Sequence, residues 1–292
     1  MDRSAPRQFL IVRRLRTLEH ALPDAAQGDA RALHKARIAT RRIREALPLV
    51  SAGARARRVA RQVRKITRAL GPVRELDVAL EILDRIEVSG DVSRSALARL
   101  RQAIARERHV LQADMKRRLE NVNLDKLRKR AVEAAQHAPG APRRDPGRVA
   151  IARARAARRA ERLRAAVEGA SGIYLPDRLH EVRIAVKKLR YGLELVRDLN
   201  GSRASAPIKL LSHVQDTLGR MHDLEILIAR TRGVQGAPGA PTLKLSGELD
   251  RLVRQWETEC RQLHGKYMAS RRALLGICER TIAAAARSES AA

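Results

Sequence analysis

Residues 33–47 read LHKARIATRRIREAL, and residues 179–193 read LHEVRIAVKKLRYGL. Seven of the fifteen positions are identical, and Arg41, Arg42 and Ile43 meet Lys187, Lys188 and Leu189. A second pair follows at nearly the same offset: LGPVRELDV from Leu70 and LGRMHDLEI from Leu218. Two matched motifs in the same order mark a duplication, with each copy one helical unit. The predicted fold class is therefore all-α, a helical bundle of two pseudo-symmetric repeat halves around a basic central groove.

A helical wheel divides the first motif cleanly. His34, Arg37, Arg41 and Arg44 fall on one side, and Ala36, Ala39, Ile43, Leu47 and Val50 on the other. In the second motif His180, Arg183, Lys187 and Arg190 share a face, and Val182, Ala185, Leu189 and Leu193 share the opposite one. Arg42 and Lys188 flank the two basic stripes. Each half thus carries a helix with a dry side and a cationic side that includes one histidine.

The rest of the chain reads the same way. Ala, Leu, Arg and Glu dominate, apolar residues recur at three- and four-residue steps, and strand-like alternation is absent. Helical patterns cover residues 5–20, 29–50, 54–70, 73–88, 92–120 and 123–137, then 147–170, 177–199, 205–219, 221–233, 242–263 and 266–286. The breaks coincide with Gly and Pro. Pro48 is expected to end the first basic helix early. The predicted organisation is one domain over 5–285, with halves 5–138 and 148–285 joined by a Pro- and Gly-rich linker at 139–147. A mobile loop is expected at 233–241, and a frayed tail at 286–292.

Charge sets the partner class. The 292 residues carry 61 Lys and Arg against 32 Asp and Glu, a formal net charge of +29. Between Arg31 and Arg68 there are thirteen cations and a single acid, Glu45. Like charges three or four residues apart cost a helix about 0.2–0.5 kcal/mol per pair, so such a surface calls for an anionic partner. The helix after the first motif adds Arg57, Arg61, Arg64, Lys65 and Arg68 on one stripe, whereas its counterpart offers only Lys209 and His213. The cationic surface should therefore be heavier in the first half. Only five aromatics are present, Phe9, Tyr174, Tyr191, Trp256 and Tyr267. Single-strand nucleic-acid binders stack bases on such rings, so the composition fits phosphates better than bases.

Other chemistries find little support. Cys260 and Cys278 are too far apart for a zinc knuckle or a CxxC pair. The apolar run Phe9–Val12 is too short for a signal peptide, and no stretch approaches the roughly 18 apolar residues of a membrane span. The reading is a soluble cytoplasmic protein that needs no cofactor. Glu75, Asp77, Asp223 and Glu225 follow a glycine expected to end a helix, which would place them in the first turn of the next one. Alternatively they orient Arg or His side chains, or His222, Asp223 and Glu225 ligate a metal.

The two Leu-His-x-x-Arg-Ile-Ala-x-[Arg/Lys]-[Arg/Lys]-x-Arg helices at 33–44 and 179–190, with the LGxxRELDV-like segment after the first, resemble the CHAD family over residues 5–285. The resemblance implies a bundle of two pseudo-symmetric halves around a basic cavity. It also implies polyphosphate binding, in some members with localisation to polyphosphate granules. The matching positions are His34, Arg37, Arg41, Arg42 and Arg44, and His180, Arg183, Lys187, Lys188 and Arg190. Spacing adds Arg61, Lys65, Arg68 and Lys209. The function read here is non-catalytic binding of inorganic polyphosphate. The competing readings are a general nucleic-acid or polyanion binder and a metal-dependent phosphoanhydride-processing enzyme.

Overall fold

The computed structural model describes residues 5–50, 54–86, 94–136, 146–170, 172–200, 205–236 and 241–289. Among these residues all regular structure is helical: α1 (Ala5–Ala26), α2 (Ala30–Val50), α3 (Ala54–Arg85), α4 (Arg94–Glu120), α5 (Leu124–Gln136), α6 (Pro146–Gly169), α7 (Pro176–Asn200), α8 (Ala206–Gln235) and α9 (Leu243–Glu289). The linker expected at 139–147 lies almost wholly outside the described residues, as do positions 237–240 of the second expected loop. The expected tail is helical as far as Glu289.

The helices form two compact units. The first holds α1, α2, α3, α5 and the part of α4 from Arg101 onward. The second holds Arg94–Leu100 of α4 together with α6, α7, α8 and α9. In the first, α1 packs on α2, α2 packs on α3, and α5 lies against both α1 and α3. In the second, α6 packs on α7, α7 packs on α8, and α9 lies against both α6 and α8. The two units therefore share one packing order, as a duplicated sequence requires.

The core of the first unit grows from stripes at helical spacing. Ile11, Leu15, Leu18 and Leu22 of α1 are buried with Leu33, Ala36, Ile43 and Leu47 of α2 and Val59, Val63, Ile66, Leu70 and Val73 of α3. Met115 and Leu119 of α4 and Leu127 of α5 complete it. The turn between α1 and α2 is tightly determined. Gly28 has φ +96°, a left-handed conformation that favours glycine, and a Cβ there would fall on the Gln112 side chain. Asp29 caps α2, its Oδ1 accepting from the Ala32 N–H at 2.6 Å.

Three glycines expected to break helices do not. α3 runs through Gly71-Pro72, α8 through Gly219 and α9 through Gly265. Each is flanked by buried residues: Leu70 and Val73, Leu218 and Met221, Cys260 and Tyr267. A glycine costs a helix about 1 kcal/mol, and burying one large apolar side chain returns about 1.5–3 kcal/mol. Pro48 likewise does not end α2, which continues to Val50. The acids Glu75, Asp77, Asp223 and Glu225 consequently sit in mid-helix, and the first-turn role expected of them is corrected.

Asp77 shows what such an acid does instead. Its side chain is 3% exposed and meets Arg108 Nε at 2.6 Å. The same guanidinium donates to the Gly28 carbonyl at 2.7 Å and to Gln112 Oε1 at 2.8 Å. Gln112 in turn donates to the Gln27 carbonyl at 2.8 Å. One arginine thus ties α4 to α3 and to the α1–α2 turn. Arg108→Ala would leave a buried carboxylate without its counter-charge, a defect of about 3–5 kcal/mol. Chemical denaturation should show the first unit losing that much stability.

Candidate anion-binding site

The dry sides of the two basic helices are buried as the wheel predicts. Ala36, Ala39, Ile43 and Leu47 are at most 2% exposed on α2, and Val182, Ala185 and Leu189 are buried on α7. Leu193 is half-buried, and the side chain of Val50 falls outside the described residues. Burial of that side turns the opposite one outward. On α2, His34, Arg42 and Arg44 are exposed, and Arg37 and Arg41 are half-buried. On α7, His180, Arg183, Lys187 and Arg190 are half-buried and Lys188 is exposed.

In the first unit His34 lies among cations. Arg74 of α3 and Arg41 and Arg37 of α2 all act on its ring, as does Glu81. Partial desolvation of the ring and these three guanidiniums hold its pKa below the usual value, and Glu81 opposes them. Arg74 is 16% exposed and paired with Glu81 at 2.7 Å. Arg37 lies over α3 at Gly71, its Nη1 3.2 Å from where a Cβ would stand. Gly71 thus provides room for a close guanidinium approach. Farther along α3, Arg57, Arg61, Arg64, Lys65 and Arg68 are all exposed. No ion pair among the described residues reaches them, nor Arg42 or Arg44.

In the second unit His180 stacks on His222 of α8, with ring centroids 4.7 Å apart and planes inclined at 47°. Burial comes first in lowering the His180 pKa, followed by His222, Arg183 and Lys187, with Glu225 opposing. Glu225 Oε2 lies 3.8 Å from His222 Nδ1. Its other oxygen accepts from the Tyr174 hydroxyl at 2.6 Å. Tyr174 comes from the α6–α7 connection and packs edge-on against His264 of α9, centroids 5.4 Å apart. Burial and donation to Glu225 push the Tyr174 pKa up, so the phenol stays protonated and keeps donating.

Not every expected residue joins these clusters. Arg190 is occupied: it meets Glu194 at 2.5 Å and Gln215 at 3.0 Å, and its guanidinium lies 4.6 Å from the Tyr191 ring centroid. Lys188 belongs to the α6 side of α7, where Arg159 Nη1 donates to its carbonyl at 3.0 Å. Arg42 is its counterpart, its carbonyl accepting from Arg14 Nη1 of α1 at 3.2 Å. Lys209 is exposed near the start of α8, about 20 Å along the helix from His222. His213, too, is exposed there, so the α3 stripe has no equally dense counterpart on α8. Sequence reasoning missed Arg74 and Glu81 and took His222 only as a metal candidate. Among the described residues no group of three or more His, Cys, Asp or Glu could hold a metal ion. None of their helices is long and apolar enough to cross a membrane.

The CHAD domain model matches residues 10–232. The crystal structure of the CHAD domain from the plant Ricinus communis aligns with TM-score 0.65 at 21% identity, covering 92% of this chain and 91% of that one. PptA from Streptomyces chartreusis aligns with TM-score 0.64 at 14% identity, covering 91% and 98%. At these identities the two structures speak to the fold alone. No curated protein matches the chain.

His34, His180 and His264 all bind protons more weakly in the folded protein than a free histidine, His264 through burial alone. The unfolded chain therefore takes up more protons than the folded one below about pH 6.5. Stability should be full above that value and fall as pH drops from it through the lowered folded-state values. Urea midpoints that decline from about pH 7 to about pH 5.5 are expected; constant or rising midpoints would contradict the assignment.

Proposed function

The chain belongs to the CHAD domain family, and from that premise we propose that it binds inorganic polyphosphate through the basic faces of α2, α3 and α7 without chemically altering it. The observation that carries this reading is the run of exposed cations on α2 and α3 that no carboxylate among the described residues neutralises. Polyphosphate is a flexible chain of phosphates without bases. Arginine's planar fork and lysine's point charge suit its oxygens, and the scarcity of aromatic rings costs nothing in recognising it. Each phosphate neutralised releases counterions, so affinity should fall with salt by a log–log slope of about 0.7 per phosphate, by analogy with single strands. Association with polyphosphate granules follows naturally from the same reading.

The test is titration of labelled long-chain polyphosphate against competing RNA and duplex DNA at matched phosphate concentration. Binding that resists both competitors is expected. The Arg37→Ala/Arg41→Ala/Arg183→Ala/Lys187→Ala variant should weaken it by at least about a hundredfold while the fold stays intact. Easy displacement by RNA would make the charge a general polyanion surface. Incubation with magnesium or manganese is expected to release no phosphate; release proportional to protein would establish a phosphoanhydride-processing activity instead.

A further inference from the structure

The duplicated motifs place matched residues in matched positions, and one pair differs in kind. Aligning LGPVRELDV with LGRMHDLEI matches Arg74 to His222 and Asp77 to Glu225. In the first unit the histidine of the basic helix, His34, faces Arg74, a permanent cation held by Glu81. In the second unit its counterpart, His180, faces another histidine at 4.7 Å, and Ala229 stands at the position matching Glu81. The second copy has exchanged a fixed cation for a titratable ring.

Resting on the polyphosphate reading above, we propose that His222 is a ligand-contacting residue and that His180 and His222 form one phosphate-binding pair, taking up protons as the ligand arrives. The groups facing this pair are Arg183 and Lys187 on α7 and Glu225 on α8. Beyond them lies Tyr174 from the α6–α7 connection, with Cys260 and His264 of α9 beside it. Tyr174 engages one Glu225 oxygen, and the other is 3.8 Å from His222 Nδ1, beyond a direct hydrogen bond. Without an anion, burial, the neighbouring His222 ring and the nearby cations oppose protonation of His180. A phosphate against the rings reverses the sign of that field and supplies an acceptor for each new N–H. The second unit would then bind strongly in mild acid and weakly in mild base, and each proton gained on binding would steepen affinity by about tenfold per pH unit.

Polyphosphate affinity of the wild type, His222→Asn and His222→Arg should be compared at about pH 6 and about pH 8, near either side of the histidine range. Asn keeps a polar side chain without a titrating charge. His222→Asn is expected to lose at least about tenfold at the lower pH and almost nothing at the higher. His222→Arg is expected to bind more tightly than wild type at the higher pH and to have a shallower pH slope. A loss by His222→Asn that is equal at both pH values, or absent at both, would overturn the proposal. In the wild type, the His180 ring NMR signals should move to the protonated position on adding polyphosphate near neutral pH; unmoved signals in a bound sample would overturn it without any variant. A wild type that binds no polyphosphate at either pH would instead remove the underlying functional reading.

Discussion

Like charges stand a turn apart on α2 and α7, and burial of the opposite face holds those helices in place. Each Arg–Arg neighbour costs about 0.2–0.5 kcal/mol, whereas burying Leu33, Ile43 or Leu47 contributes about 1.5–3 kcal/mol apiece. Burial wins by a wide margin, so the helices hold despite the like charges that share their outer face. The surrounding helices follow from this need. In each unit two helices flank the basic one, and a fourth, α5 or α9, lies against both of them.

The duplication did not produce two equivalent sites. The first unit places its histidine beside an Arg–Glu pair and continues into a long exposed stripe on α3. The second places its histidine against another histidine and surrounds the pair with Tyr174, Glu225 and His264. Much of its remaining charge is occupied, as with Arg190 on Glu194 and Arg220 bonded by both oxygens of Glu259 at 2.8 and 3.2 Å. The first unit therefore presents dense, permanent charge, and the second presents less charge with a titratable part.

Most of the helical content was legible from period and composition, and the repeat alone located the two basic helices. The wheel separated wet from dry because no charged residue shares the side of Ala36, Ala39 and Ile43. It could not foresee that Thr40 is fully buried, its hydroxyl satisfied by the Arg37 carbonyl at 2.9 Å. Glycine misled it at Gly71, Gly219 and Gly265, because propensity is local and the burial that overrides it is tertiary. That error hid part of the site. Once α3 and α8 were split at a glycine, Arg74 and His222 looked like helix starts, not members of continuous faces carrying residues opposite His34 and His180. Arg108, which secures Asp77, was invisible for another reason: a contact 31 residues away in sequence leaves no periodic trace.

Phosphate is expected on the basic faces of α2, α3 and α7. A crystal structure of the protein with polyphosphate tests that most directly. Phosphate density against Arg37 and Arg41 in the first unit, and against Arg183, Lys187 and the His180–His222 pair in the second, is the predicted result. Density confined to Lys188 and Arg159 on the α6 side of α7, with none on the basic faces of α2 and α3 or at the His180–His222 pair, would contradict it.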